Sequence, residues 1–379
     1  MTDEPTGSPW SWHDSGDEAY PAMLEAIGEA RNSVSLEVYT FSADATGERF
    51  RQALVEGRRR GVRVRVLVDA VGSIGLAASF WDPLSQAGGE VRQFNPLALR
   101  RFAIRDHRKV LVCDGRVAFV GGYNVGQEYE GDGVGKGWKD VCIRIGGPVA
   151  GQLEESFERM FGRADFLHKR FMRFRKFDAR ISLGFVRDRI LLSGPGRGAS
   201  PYGRALREDL AAAKEVSIVA AYFLPPVRLL RDLMAVARRG GRVRLVLPGK
   251  SDVALSRWAA RSLYRRLLKS GVEVHEYEPQ ILHAKLVIVD EIAYVGSANL
   301  DPRSLHINYE LMLRLESPEI AAGAREVFAG CLAHSRRITR EEWRASRTIW
   351  RRVKHRWAYF ILARVDPWFA QWQWRGLED

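Results

Sequence analysis

The stretch HRKVLVCDGRVAFVGGYN, residues 107–124, returns as HAKLVIVDEIAYVGSAN, residues 283–299, one residue shorter between Asp290 and Gly296. Each copy reads as a β-hairpin. Side chains two apart on a strand share a face, so His107 and Lys109 point the same way and Val110 and Val112 follow toward a core. Asp114-Gly115 supplies the turn. The returning strand, Val117–Val120, brings Gly121, Gly122 and Asn124 back beside His107 and Lys109. The second copy repeats this with His283, Lys285, Asp290, Gly296, Ser297 and Asn299.

The repeat extends upstream. AIGEARNSVSLEVYTF with FRQALVEGRRRGVRVRVLVDAVGS in the first half matches DLAAAKEVSIVAAYFLPP with LRDLMAVARRGGRVRLVLPGKSD in the second. Both read as helix, strand, helix, strand. Strands are expected at Val34–Val38, Val62–Val68, Val216–Ala220 and Val243–Leu247. Helices are expected at Gly47–Arg60 and Val227–Arg239, closed by Gly61 and Gly240. Strands alternating with helices predict an α/β fold, and a motif repeated 176 positions on predicts two similar domains. The boundaries read as an N-terminal tail 1–15, a first domain 16–165, a basic linker 166–200 that includes SGPGRG, a second domain 201–335 and a C-terminal segment 336–379.

The chain has 379 residues, and 59 Lys and Arg against 46 Asp and Glu leave it at +13. That charge implies anionic partners: nucleic acid, an anionic membrane or phosphorylated substrates. The polar, acidic start is not a secretory signal, and no apolar run approaches the ~20 residues of a membrane span. The protein is expected in solution or on a membrane surface. Cys113, Cys142 and Cys331 have no metal-ligand spacing and read as buried small side chains.

Each hairpin offers an imidazole, an ammonium and a carboxamide on one surface. Lys and Asn suit the non-bridging oxygens of a phosphodiester as phosphorus becomes five-coordinate. One neutral His can attack phosphorus, and a second, protonated, can give a proton to the leaving alkoxide. One hairpin has only one His, so the chemistry requires both halves at a common cleft.

These residues resemble the phospholipase D superfamily with its paired H-x-K-x-x-x-x-D motifs, and most closely the bacterial cardiolipin synthases of the short form without N-terminal membrane spans. LEVYTFSADATG, GGYNVGQEY, WKDVCIRIGGPVAGQLEESF, LLKSGVEVHEYE and VGSANLDPRS carry the resemblance over most of the chain. It implies two similar phospholipase D-like domains, each a mixed sheet flanked by helices, with the active site at their interface. It also implies that an acidic residue downstream orients each His: Asp140, 33 positions after His107, and Glu310, 27 after His283. Asp114 and Asp290 belong to the motif, although their place at the hairpin turn also suits a brace.

By the same resemblance, one phosphatidylglycerol donates its phosphatidyl group to a histidine with loss of glycerol, and a second accepts it, giving cardiolipin. No metal or cofactor is implied. His107 is assigned as nucleophile and His283 as acid and base, with the reverse nearly as compatible with the residues. One chain holds both motifs, so a monomer suffices for a complete site. The implied location is the cytoplasmic side of a bacterial membrane, peripherally bound. A hydrolase making phosphatidic acid and a nuclease of the same superfamily are the alternatives, with nucleic acid the less favoured partner. The second hairpin is one residue short, and only it carries a hydroxyl, Ser297 where the first has Gly122.

The C-terminal segment holds six of eleven tryptophans. Trp343, Trp350 and Trp357 recur every seven residues, extended by Val353 and Phe360 on one helical face, with Arg and Lys over much of the rest. Such a helix suits a membrane interface or docking on its own domain. FLHKRFMRFRKF, residues 166–177, interleaves Phe with cations and suits anionic lipid, single strands or a solvated linker.

Overall fold

The structure, a computed structural model, describes residues 10–95, 104–164, 181–183, 189–195, 199–346 and 348–365. The basic Phe segment 166–177 and the tail with Trp368, Trp372 and Trp374 lie outside these residues, as does part of SGPGRG.

Both hairpins form as their valine-rich alternation requires. Strands β1 to β7 span Trp10–His13, Ser33–Val38, Arg63–Asp69, Glu90–Phe94, Val110–Cys113, Val117–Gly121 and Cys142–Gly146. Strands β8 to β16 span Ile181–Leu183, Arg189–Ser193, Glu215–Ala220, Arg242–Pro248, Glu273–Tyr277, Lys285–Val289, Ile292–Gly296, Glu310–Glu316 and Ser335–Ile338. The first sheet has the order β1-β7-β6-β5-β2-β3-β4 and the second β16-β12-β11-β10-β13-β14-β15-β9-β8. The run β4-β3-β2-β5-β6-β7 of one is matched by β12-β11-β10-β13-β14-β15 of the other. In each run the first three strands are parallel and the hairpin joins antiparallel to them. The sequence repeat is thus a repeat of topology.

Helices cover the sheets where amphipathic stripes meet them. Ala45–Arg59 starts at Asp44, whose carboxylate accepts from the Gly47 N–H at 2.9 Å, and ends with Arg58 and Arg59 in its last turn. Gly61 follows at φ 93°, as Gly240 does after Val227–Arg238. Only glycine adopts this left-handed stop without strain. Val227–Arg238 buries Leu229, Leu230, Leu233, Met234 and Val236. The two hairpins meet in one core: Val110, Val112, Val120 and Ile143 of the first half pack with Leu286, Ile288, Val295 and Leu313 of the second. That shared core holds the histidine-bearing ends of the hairpins in register.

Three expectations from the sequence are revised. Part of the stretch read as a linker is strand: β9 pairs with β15 and extends the second sheet. Part of the N-terminal tail is β1, which pairs with β7 and sends Trp12 across to donate from Nε1 to the Ile320 carbonyl at 3.1 Å. β16, beyond residue 335 for most of its length, pairs with β12. Periodicity could not show these short strands, because each is fixed by pairing with a distant strand.

Asp114 and Asp290 stand at the turn ends of the hairpins, roughly 20 Å along the strand from the histidines. Both have positive φ, 56° and 48°. The Asp114 carboxylate accepts from the backbone N–H groups of Arg31, Asn32 and Ser33 at 2.6–3.2 Å. Asp290 does the same for Lys214 and Glu215. They brace the entry of β2 and β10 and do not reach the site. Burial would raise the Asp114 carboxyl, but the three N–H groups outweigh it and hold it below its ordinary 3.8. A depressed folded-state value stabilises at neutral pH, and that stability is lost as pH falls below about 4. Asp114→Ala should therefore cost about 1–2 kcal/mol in urea unfolding at pH 7, with the gap closing in acid. Turnover per folded molecule should stay near that of the parent; a collapse in turnover at unchanged stability would put Asp114 in the chemistry.

Candidate active site

The two H-x-K motifs converge because the segments leading into them bridge the two halves. Asp106 pairs with Tyr309 and Lys139 with Leu282 as isolated parallel bridges. The His107 N–H donates to the Tyr309 carbonyl at 2.9 Å, and the His283 N–H to the Lys139 carbonyl at 2.7 Å. Each histidine is thereby seated beside the residue that follows its bridging partner. His107 Nδ1 lies 3.0 Å from Glu310 Oε2, and His283 Nδ1 lies 2.6 Å from Asp140 Oδ2. Asp140 and Glu310 are the two orienting carboxylates, but the pairs are crossed: each His takes its acid from the other half. Order along the chain had assigned Asp140 to His107 and Glu310 to His283. Nothing in a linear sequence shows the exchange.

Alternation on the strand explains what Arg108 does between His107 and Lys109. It points to the opposite face, where it forms a buried ion pair with Glu37 at 3.1 Å and donates to Ser156 at 2.9 Å. The second copy has Ala284 at that place. Lys109 Nζ donates to the His107 carbonyl at 2.7 Å, and Lys285 Nζ sits 3.1 Å from His283 Nε2.

The site is crowded with positive charge in a dry setting. Lys109 and Lys285 are both buried. Burial, with Lys285 nearby, brings Lys109 down to about 7 despite Glu310. Burial likewise lowers Lys285, against the pull of Asp140. His107 is driven well below its ordinary value by burial and then by Lys109, Lys285 and His283. A phosphodiester between the hairpins would add negative charge beside these lysines and imidazoles.

Burial and then Lys285 lower His283 as well, against the pull of Asp140, so the two dyads differ in their carboxylates. Burial pushes Asp140 up, but Lys285 and His283 outweigh it and hold it ionised, below the usual carboxylate value. Burial raises Glu310 to about 7, moderated by Lys109 and by the Ser297 hydroxyl, which donates to Oε2 at 2.5 Å. The Asn308 carboxamide donates to Glu310 Oε1 at 3.3 Å. In the first half the place of Ser297 belongs to Gly122, where a Cβ would stand 2.1 Å from Asp140 Oδ1. The Gly/Ser difference between the copies thus comes from how closely each carboxylate approaches the hairpin.

The asparagines are less alike than their repeat suggests. Asn124 is held at both ends, Oδ1 accepting from the Thr40 N–H at 3.1 Å and Nδ2 donating to the Tyr129 hydroxyl at 2.7 Å. Asn299 is buried with its side-chain oxygen unpaired. Sequence reasoning missed the aromatic walls. Tyr39 meets the His107 ring edge-on at 4.9 Å and lies 5.1 Å from Lys109 Nζ. Tyr129 and Trp138 flank His283 at 5.5 and 5.7 Å. Neither Tyr39 nor Trp138 had a signal in the repeat: the strand register matches Tyr39 with Ala221 of VAAYFLPP.

Comparison with known proteins agrees with this geometry. The family described as "Cardiolipin synthase, PLD-like domain" matches residues 23–161 and 206–332. The chain belongs to that family. It is 34% identical over 346 residues, 89% of this chain and 72% of the relative, to the major cardiolipin synthase ClsA of Bacillus subtilis (strain 168). It is 33% identical over 357 residues, 92% and 86% of the two chains, to cardiolipin synthase B of Salmonella typhi. The crystal structure of phosphatidylserine synthase from Haemophilus influenzae Rd KW20 shares the fold, with a TM-score of 0.75 over 96% of this chain and 95% of that one at 13% identity. The expectation of a phospholipase D-superfamily phosphatidyltransferase of the cardiolipin synthase type, built as two mixed sheets flanked by helices, holds. Among the described residues no helix is long and apolar enough to cross a membrane.

The lysine near neutrality gives a pH signature. Above about 7 Lys109 loses its charge while Glu310 gains one, so the site becomes less attractive to a phosphate. KM for dispersed phosphatidylglycerol should rise as pH passes through 7, and Lys109→Arg, charged throughout, should flatten that rise. An unchanged KM profile in the variant would remove Lys109 from substrate binding.

Proposed function

We propose that this protein joins two phosphatidylglycerol molecules into cardiolipin at the cytoplasmic surface of a bacterial membrane, through a phosphatidyl-histidine on His107. The observation that carries the reading is the pair of crossed His–carboxylate dyads, His107–Glu310 and His283–Asp140, with Lys109 and Lys285 buried beside them. Neutral His107, whose Nδ1 faces Glu310, turns Nε2 toward phosphorus and forms the P–N bond. The P–O bond to the glycerol breaks, and His283, whose imidazolium Asp140 stabilises, gives its Nε2 proton to the leaving oxygen. The hydroxyl of the second phosphatidylglycerol then attacks phosphorus, its proton passes to His283, and the P–N bond breaks. Lys109 and Lys285 hold the non-bridging oxygens as charge builds on them. Asn124 fixes Tyr129 against His283, and Asn299 lies on the equivalent turn of the second hairpin. One chain supplies both dyads, so no second copy is required for a complete site. The aromatic walls Tyr39, Tyr129 and Trp138 keep the reacting phosphorus away from bulk water.

Purified protein with phosphatidylglycerol vesicles should yield cardiolipin and one glycerol for each; phosphatidic acid as the product would make it a hydrolase, and cleavage of DNA alone a nuclease. His107→Ala and His283→Ala should each lower turnover by at least about 10³-fold. A p-nitrophenyl phosphatidyl ester distinguishes their roles, because its leaving group needs no proton. His283→Ala should still release one burst equivalent of p-nitrophenolate and leave His107 phosphatidylated, whereas His107→Ala should show no burst. The opposite pattern would exchange the two roles.

A further inference from the structure

Away from the catalytic cleft, the Ala254–Lys269 helix, β12, β16 and the two C-terminal helices, Arg340–Ala345 and Ile349–Phe360, enclose a second cleft of about 900 Å³. Its lining holds eight Arg and Lys side chains against two carboxylates, Glu276 and Glu342. Glu276 is already taken by Arg261 at 2.7 Å and Arg336 at 3.5 Å. Glu342 closes the capping box with Thr339. Lys354 lies over the Trp258 ring at 3.9 Å. Arg265, Arg266, Arg352 and Arg356 have no carboxylate partner among the described residues. Arg257 reaches the Gly249 carbonyl, yet its Nε is buried without a partner. The guanidiniums of Arg265, Arg266, Arg352 and Arg356 are exposed at the mouth of the cleft, and like charges gathered there attract an anion.

One wall of this cleft borders an apolar stripe. On the Ile349–Phe360 helix, Trp350, Val353, Trp357 and Phe360 are 82%, 55%, 56% and 56% exposed, and their spacing puts them on one face. The opposite side docks on the protein, with Ala358 fully buried and Tyr359 packed against the second-domain core. Trp343, expected from its seven-residue spacing to share the stripe, sits on the preceding helix and packs inward on Tyr264 at 4.9 Å. The helix therefore satisfies both readings of its sequence: one face is structural, the other is bare. Phe360 belongs to the stripe and to the cleft lining.

A cationic cleft bordered by exposed Trp and Phe matches an anionic phospholipid in a bilayer, with phosphate in the cleft and acyl chains beside the aromatic stripe. We propose that this cleft is a second, non-catalytic site for the headgroup phosphate of an anionic phospholipid, and that it docks the protein on the membrane. The proposal adds a lipid site to the reading above without depending on its chemistry.

The test is co-sedimentation with vesicles of phosphatidylcholine alone or mixed with phosphatidylglycerol, using the full chain. The parent should bind the mixed vesicles and not the neutral ones, and brominated acyl chains should quench its tryptophan fluorescence. Arg352→Glu with Arg356→Glu should weaken binding by about tenfold or more. Arg59→Glu with Arg116→Glu, the same charge change at exposed sites in the first domain, should have a far smaller effect. Trp350→Ala with Trp357→Ala should abolish the quenching. Both cleft and stripe variants should still turn over short-chain phosphatidylglycerol dispersed in detergent, which also reports that they are folded. Equal losses in the cleft and control pairs would overturn the site, as would unchanged vesicle binding in the cleft pair. Displacement by inorganic phosphate at matched ionic strength would make the ligand a free phosphate instead of a lipid. Because His107→Ala should bind vesicles like the parent, failure of the catalytic reading leaves this result standing.

Discussion

Each catalytic histidine is gripped by a carboxylate from the other half of the chain, and the rest of the active site follows from that exchange. The bridges Asp106–Tyr309 and Lys139–Leu282 pull the entry of each hairpin against the entry of the partner domain's carboxylate strand. Separated domains would leave two half-sites, each with an imidazole and a lysine but without the acid that sets the ring. A two-fold repeat brought face to face makes the exchange automatic, because whatever one half presents to the other is returned to it. The apolar core shared between the hairpins supplies the burial that holds those bridges closed.

Burial then makes two nearly equal dyads unequal. Asp140 sits against Gly122 and stays ionised beside Lys285 and His283, whereas Glu310 accepts from the Ser297 hydroxyl and is raised to about 7. A single methylene and hydroxyl, present in one copy of the repeat and excluded from the other, accompany this difference. The two buried lysines complete a setting that favours a phosphodiester over a neutral ester.

The hairpins, the strand and helix positions around them and the doubled domain were legible in the sequence because they rest on local signals: alternation, turn residues and Gly stops. The histidines and lysines were legible as a set because the motif repeats, whereas Asp140 and Glu310 came only through the resemblance to the phospholipase D superfamily. Strands β1, β9 and β16 were not legible, since each pairs with a strand far away in the chain, β7, β15 and β12. Asp114 and Asp290 carry the motif's last letter, yet they tie backbone N–H groups at the far ends of the hairpins. Spacing alone cannot separate a brace from a catalytic acid.

By itself, the sequence determined that two H-x-K hairpins on α/β domains would combine at one phosphodiester-cleaving site, because one hairpin lacks a second imidazole. Tertiary structure decided which acid serves which histidine, since that depends on strand bridges between residues some 150–200 positions apart. It also decided which face of the C-terminal helix stays bare. Heptad spacing grouped Trp343 with Trp350 and Trp357, but Trp343 lies on the Arg340–Ala345 helix and packs on Tyr264, while the other two stand exposed on Ile349–Phe360. Periodicity specifies a stripe, and only packing specifies what covers it.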